Sequence, residues 1–218
     1  MAAPDAARIA ENVAHVRERI TAAGGSAVSL VAVTKTHPRE VLDIAVGAGC
    51  DALGENYVQE IVSKLAGSPS PGPLHMIGAV QSNKVRKIAA SVALWQSVDR
   101  ASVIDEIAVR ARSGGCGDIL LQVNSTSEAS KGGCMPSEVD TLRERAETAG
   151  LRVLGLMTIG PTGGTPGECE AAFSSVRSLC DRGGLAVCSM GMTDDFEIAV
   201  ACGSTMVRIG SAIFGPRP

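Results

Sequence analysis

Lys35 stands directly after the apolar run Val28–Val33, in the segment Val33-Thr34-Lys35-Thr36-His37. An amine at the end of a buried strand lies against a desolvating wall. Burial favours its neutral form, the form that attacks a carbonyl carbon to make a Schiff base. An isolated lysine there reads instead as a side chain reaching out to water, so its company decides. Arg208 sits near the end of another apolar run, among Met206, Val207 and Ile209, where a surface ion pair is not expected. Ser189-Met190-Gly191 and Gly210-Ser211 are small, glycine-bearing segments. Such backbones can approach a phosphate closely and turn N–H groups towards it. An amine, a guanidinium and a phosphate cradle together describe a site for a phosphorylated aldehyde.

These residues need elements to hold them at one place. Short β-rich runs alternate with amphipathic stretches along the whole chain. The expected strands are Ser29–Val33, Asp51–Leu53, Leu74–Ile77, Leu94–Ser97, Asp118–Val123, Val153–Met157, Ala186–Cys188 and Thr205–Ile209. Helical spacing marks Met1–Ile20, with Ile9, Val13, Val16 and Ile20 on one face. It also marks a segment opened by Pro38, one capped by Ser82, and Arg100–Arg112, Pro136–Ala149, Pro166–Arg182 and Asp194–Cys202. Eight strands, each followed by a helix or the chain end, are the count of a (β/α)₈ TIM barrel. An open doubly wound sheet is the alternative, although so short a chain rarely carries eight β/α units in one. No composition shift divides residues 1–218, which read as a single domain. In a barrel, strand ends and the loops after them carry function, and the last two such loops often hold phosphate. Lys35, Arg208, Ser189, Gly191, Gly210 and Ser211 all fall at such ends, and pyridoxal 5′-phosphate fits the site they describe.

Composition removes several function classes. Lys and Arg number 20 against 23 Asp and Glu, a formal charge of −3, without the basic stripe of a nucleic-acid reader. Aromatic residues are 2% of the chain, too few for a base-stacking surface. No apolar run approaches the ~20 residues of a membrane span, and the charged N-terminal stretch is not a secretory signal. The seven cysteines are irregularly spaced without CxxC and read as reduced, buried side chains of a cytoplasmic protein. Asn124-Ser125-Thr126 has the form of a glycosylation sequon, which carries no meaning there. His37 and His75 read as structural or solvated, and Lys84, Arg86 and Lys87 as a solvated helix face. Met190, Met192 and Met206 read as wall. Gly203-Ser204-Thr205 enters the eighth strand, at the end of the barrel away from the site.

The segments VSLVAVTKTHP (28–38), LGENYVQE (53–60), HMIGAVQSNK (75–84), QVNSTSEASKGG (122–133), GLMTIGP (155–161), SMGMTDDFEIAV (189–200) and GSTMVRIGSAIFG (203–215) run in order across nearly the whole chain. In them the chain resembles the pyridoxal phosphate homeostasis protein family, relatives of the N-terminal barrel of alanine racemase. The resemblance implies a covalent Schiff base of pyridoxal 5′-phosphate on Lys35. It implies that Asn56 lines the cofactor plane and that Ser189, Gly191, Gly210 and Ser211 hold the phosphate. Arg208 matches the arginine that hydrogen-bonds the pyridine nitrogen. Ala79, Val80, Thr34, Thr193 and Gly160 depart mildly from the family pattern.

Two functions then compete, a carrier of the cofactor and an amino-acid racemase. An arginine does not readily give up its proton, so it leaves the ring nitrogen unprotonated and the ring a weaker electron sink. Racemase relatives work with the same arginine, but take an acid/base tyrosine from a second, β-rich domain. This chain ends at Pro218, and its only tyrosine, Tyr57, lies in the second βα loop. The expectation is a non-catalytic, monomeric carrier that buffers the cofactor and passes it transiently to apo forms of the enzymes that use it. Lys131 is either a secondary aldehyde site or, as favoured here, a loop charge.

Overall fold

Strands buried on both faces and connected through helices lie parallel, in an open sheet or a closed barrel. The computed structural model describes residues 5–126, 128 and 131–216, and in it eight parallel strands close into a barrel in sequence order. They are β1 (Ser29–Val33), β2 (Ala52–Glu55), β3 (Leu74–Met76), β4 (Leu94–Val98), β5 (Asp118–Gln122), β6 (Arg152–Met157), β7 (Val187–Ser189) and β8 (Met206–Ile209). Closure pairs β1 with β8, Val31 opposite Arg208 and Ala32 opposite Ile209, and excludes the open doubly wound sheet.

Nine helices are described: α1 (Ala6–Ala22), α2 (Glu40–Gly47), α3 (Val58–Lys64), α4 (Ser82–Val85), α5 (Ala101–Ala111), α6 (Val139–Thr148), α7 (Pro166–Gly183), α8 (Phe196–Ala201) and α9 (Ser211–Phe214). Residues 1–4 of the expected first helix lie outside the described residues. Asp5 caps α1 by accepting the Arg8 N–H at 3.1 Å, and Ile9, Val13, Val16 and Ile20 are its buried face, as their spacing requires. In α7 Thr165 and Glu168 form a capping box, Pro166 follows at the first helical position, and Gly184 ends the helix at φ 61°. The expected stretch Pro136–Ala149 splits into a 3₁₀ turn, Pro136–Glu138, and α6. Ser82 does not cap α4; Gln81 occupies that position and Ser82 is the first helical residue. Helices α3 and α9 were not expected. They bury two residues and one residue respectively, too few to write a helical stripe into the sequence.

Two apolar layers result. Alternate residues of each strand face inwards, and Val31, Ala52, Leu94, Leu120, Met157 and Met206 fill the barrel. Their neighbours, among them Leu30, Leu53 and Leu121, face the helix ring together with Trp95 and Phe173. Two strands approach so closely at β6 that a Cβ on Gly155 would fall 1.8 Å from the Val187 carbonyl oxygen. All seven cysteines are free. No helix among the described residues is long and apolar enough to cross a membrane.

Candidate functional site

Strand alternation carries Val31, Val33 and then Lys35 to the inside of the barrel. There, at the C-terminal ends of the strands, lies a cavity of about 200 Å³. Val33, Lys35 and His37 line it from β1 and its turn, Met192, Thr193 and Asp194 from the loop after β7, and Arg208, Gly210, Ser211 and Gly215 from β8 and beyond. The lysine turn is tight: the His37 N–H donates to the Thr34 carbonyl at 3.2 Å. Thr36 within it has φ 67°. For a β-branched residue that left-handed backbone costs roughly 1–3 kcal/mol and persists only where surrounding contacts enforce it. The His37 ring sits 5.0 Å from that of Phe214 in α9, which joins the turn to the C-terminal side of the cavity.

Arg208 is the fully buried charge of the site. Its Nη1 donates to Ser189 Oγ at 2.7 Å and its Nη2 to the Thr158 carbonyl at 2.7 Å. No ion pair holds it among the described residues, although the field of Asp195 acts on it. Burial lowers it to about 10, partly opposed by Asp195 and Cys188, so it remains protonated at neutral pH. Because a guanidinium only donates, Ser189 Oγ must accept from it and send its own proton to Gln96 Oε1 at 2.7 Å. That fixes the Gln96 amide, whose Nε2 faces His75 Nδ1 at 2.8 Å and Met206 Sδ at 3.2 Å. An amide nitrogen only donates, so His75 Nδ1 is an acceptor and the ring is neutral with its proton on Nε2. Burial agrees, lowering His75 to about 4. The guanidinium is therefore oriented by a buried relay of fixed polarity reaching from β8 through β7 and β4 to β3.

Beyond Arg208 the cavity is built from small hydroxyl residues. Thr193 Oγ1 accepts from Ser211 Oγ at 3.2 Å and from the Ala212 N–H at 3.4 Å. A Cβ on Gly210 would meet only Val33, at 3.5 Å, so glycine there leaves open space that a side chain would occupy. Asp194, the one carboxylate of the lining, is exposed to water, which screens it.

The structure thus brings Lys35, Arg208, Gly210 and Ser211 together around one cavity. Ser189 and Gly191 stand beside its lining. Ser189 is wholly buried in the Arg208 relay. Gly191, at φ 97°, has its carbonyl accepting the Arg208 N–H at 3.0 Å. A Cβ there would fall 2.7 Å from Ala199 Cβ, so glycine lets α8 pack on this loop. Asn56 follows β2 and is not among the cavity's lining; its Oδ1 is buried with no hydrogen-bond partner among the described residues. Sequence reasoning missed Thr193 and His37 as lining residues. Each lies two positions beyond a residue it singled out, Gly191 and Lys35, and the turn geometry that returns them to the cavity has no sequence signature of its own. Lys131 pairs with Glu128 at 2.8 Å and donates to the Gly160 carbonyl. Tyr57 is exposed at the start of α3.

The donor set suits an anionic carbonyl compound. It offers an amine, a buried cation with no ion pair among the described residues, and two hydroxyls beside Gly210. Pyridoxal 5′-phosphate has the complementary groups: an aldehyde, a ring acceptor and a phosphate. A larger hollow of about 560 Å³, between the loops after β5 and β6, offers hydroxyls with Glu128 and Glu168 but no cation among its described lining. It does not suit an anion.

Comparison with known proteins shows the family. The profile of the alanine racemase N-terminal domain matches residues 5–218. The chain belongs to that family. Its relatives include the pyridoxal phosphate homeostasis protein of Pseudomonas aeruginosa, 40% identical over 220 residues that cover 96% of each chain. Among solved structures, a protein of unknown function from Bifidobacterium adolescentis superposes with a TM-score of 0.87 at 34% identity, over 96% of this chain and 95% of that one. PipY of Synechococcus elongatus, solved with pyridoxal phosphate bound, superposes with a TM-score of 0.80 at 32% identity, over 95% of this chain and all of PipY. The family's barrel and the pyridoxal phosphate association of its members are the context in which the cavity is read.

Proposed function

We propose that residues 1–218 act as one cofactor-binding barrel domain that holds pyridoxal 5′-phosphate as a Schiff base on Lys35. In this reading the protein buffers the cofactor in the cytoplasm as a monomer and supplies it to enzymes that need it. The observation that carries the reading is Arg208: a buried guanidinium with no ion pair among the described residues, across one small cavity from a lysine, with Gly210, Ser211 and Thr193 beside it. When bound, the cofactor supplies a reactive aldehyde on an electron-withdrawing ring. Lys35 contributes the amine, and Arg208 donates to the ring nitrogen without protonating it. Asn56 lines the cofactor plane. Gly210, Ser211 and Thr193 receive the phosphate, with Ser189 and Gly191 holding Arg208 and the loop in place.

Absence of catalysis belongs to the same proposal. An arginine at the ring nitrogen leaves the ring a weak electron sink, and no tyrosine lines the cavity opposite Lys35. Loss of one general acid/base commonly costs ~10²–10⁴-fold. The test adds pyridoxal 5′-phosphate to wild type and to Lys35→Ala, desalts both, and records the visible spectrum. Free amino acids are then offered and followed by chiral chromatography. The proposal expects a yellow imine band in wild type alone and no turnover. A band retained by Lys35→Ala overturns the assignment of the lysine. Robust turnover lost in Lys35→Ala replaces the carrier with a racemase-like enzyme.

A further inference from the structure

The turn that presents Lys35 is gripped from outside the cavity. Lys64, the last residue of α3, has a side chain only 8% exposed. Its Nζ donates to the Thr34 carbonyl at 2.8 Å, to Glu55 Oε1 at 2.6 Å and to Glu60 Oε2 at 3.0 Å. Thr34 Oγ1 donates to the same Glu55 oxygen at 2.7 Å, and the Thr36 N–H donates to the same Glu60 oxygen at 2.7 Å. Both chain neighbours of Lys35 are therefore tied to one ammonium and two carboxylates, while Lys35 itself lines the cavity.

Such a cluster is a poor device for stability alone. Desolvating three charges costs more than an apolar contact of the same volume would, and Glu55 Oε2 is buried without a partner. What the cluster does enforce is the left-handed backbone of Thr36, a conformation that needs contacts on both sides of it. We propose that Lys64, with Glu55 and Glu60, is a positioning residue for Lys35: it holds the strained turn so that the amine is presented to the aldehyde. This rests on the reading of Lys35 as the cofactor's anchor.

Burial pushes the Glu55 carboxyl up, more than Lys64 and Thr34 pull it down. Burial also acts on Glu60, but the Thr36 N–H and Lys64 outweigh it and hold Glu60 below the usual range. Lys64→Met removes the one donor shared by the Thr34 carbonyl, Glu55 and Glu60, so the turn loses the contacts that hold it. The geometry is what is lost.

The experiment compares wild type, Lys64→Met and Lys64→Met/Glu55→Gln, the last relieving the buried acid in case the single variant folds poorly. Three quantities are read: the thermal midpoint, the rate of imine-band growth with pyridoxal 5′-phosphate, and the acetylation of Lys35 by acetic anhydride in the cofactor-free protein, followed by peptide mass spectrometry. Misplacing a reacting group by about 1 Å can cost on the order of 10²-fold. We expect both variants to load about 10–100-fold more slowly, yet to acetylate Lys35 several-fold faster because the amine is released to water. We expect Glu55→Gln to recover the midpoint without recovering loading. A double variant that regains loading along with stability overturns the proposal, as does unchanged Lys35 acetylation. If wild type itself forms no imine band, the cofactor reading fails, while the acetylation comparison still decides whether Lys64 positions Lys35.

Discussion

Acid should loosen the protein through His75 before it protonates most carboxylates. The imidazole is buried, its Nδ1 must accept from Gln96 Nε2, and burial lowers it to about 4 from an ordinary 6.5. In the unfolded chain it titrates near 6.5. Above that pH both states are neutral there and the group contributes nothing. Between 6.5 and 4 the unfolded chain holds a proton that the folded one refuses, so stability is lost as pH falls. The slope approaches 1.4 kcal/mol per pH unit, about 3 kcal/mol across the interval. Urea unfolding at steps from pH 7.5 to 4.5, wild type beside His75→Gln, isolates this, because the other titrating groups cancel in the difference. The variant loses part of a buried hydrogen bond and is expected to be less stable at pH 7.5 by about 1–3 kcal/mol. Its deficit then narrows by about 2 kcal/mol between pH 6.5 and 5. A constant deficit across that range would refute the fixed polarity of the relay, and with it the argument that Ser189 and Gln96 orient Arg208.

Three further outcomes follow from the geometry. Arg208→Met removes a buried charge along with its two hydrogen bonds, so the variant should fold; a charge-assisted bond is worth about 1.5–3 kcal/mol, so equilibrium dialysis should show about 10–100-fold weaker retention of pyridoxal 5′-phosphate, and unchanged retention would place Arg208 outside the site. Gly155→Ala would set a Cβ 1.8 Å from the Val187 carbonyl oxygen, between two paired strands, and expression trials should yield no soluble folded protein; a variant that melts like wild type contradicts the described approach of β6 and β7. Gly210→Ala meets nothing closer than 3.5 Å, so circular dichroism should show a native fold while the methyl in the cavity weakens ligand retention.

Much of this was legible in the residues themselves. The count of eight strands alternating with helical stretches points to the barrel, and Lys35 and Arg208 announce themselves as charges ending apolar runs. The strands shifted by a residue or two, β2 to Ala52–Glu55 and β7 to Val187–Ser189, because strand ends are set by ladder bonds that local pattern does not encode. Ser189 shows the limit more sharply. Its small size next to Gly191 points to a phosphate loop, whereas the barrel turns its hydroxyl inwards to Arg208 and Gln96, a partnership set by three strands distant in sequence. Lys64 and Glu55 are nine residues apart, and no pattern in the sequence links them. Only the short helix α3, invisible to periodicity, brings them under the lysine turn.

The central claim is that Lys35 covalently holds the cofactor in the cavity it shares with Arg208. The most direct measurement reduces the wild-type protein with borohydride after loading with pyridoxal 5′-phosphate, digests it, and locates the added mass. The account predicts modification at Lys35 in stoichiometric yield, reduced in Arg208→Met. Modification spread over exposed lysines such as Lys87, with Lys35 unmodified, would contradict it.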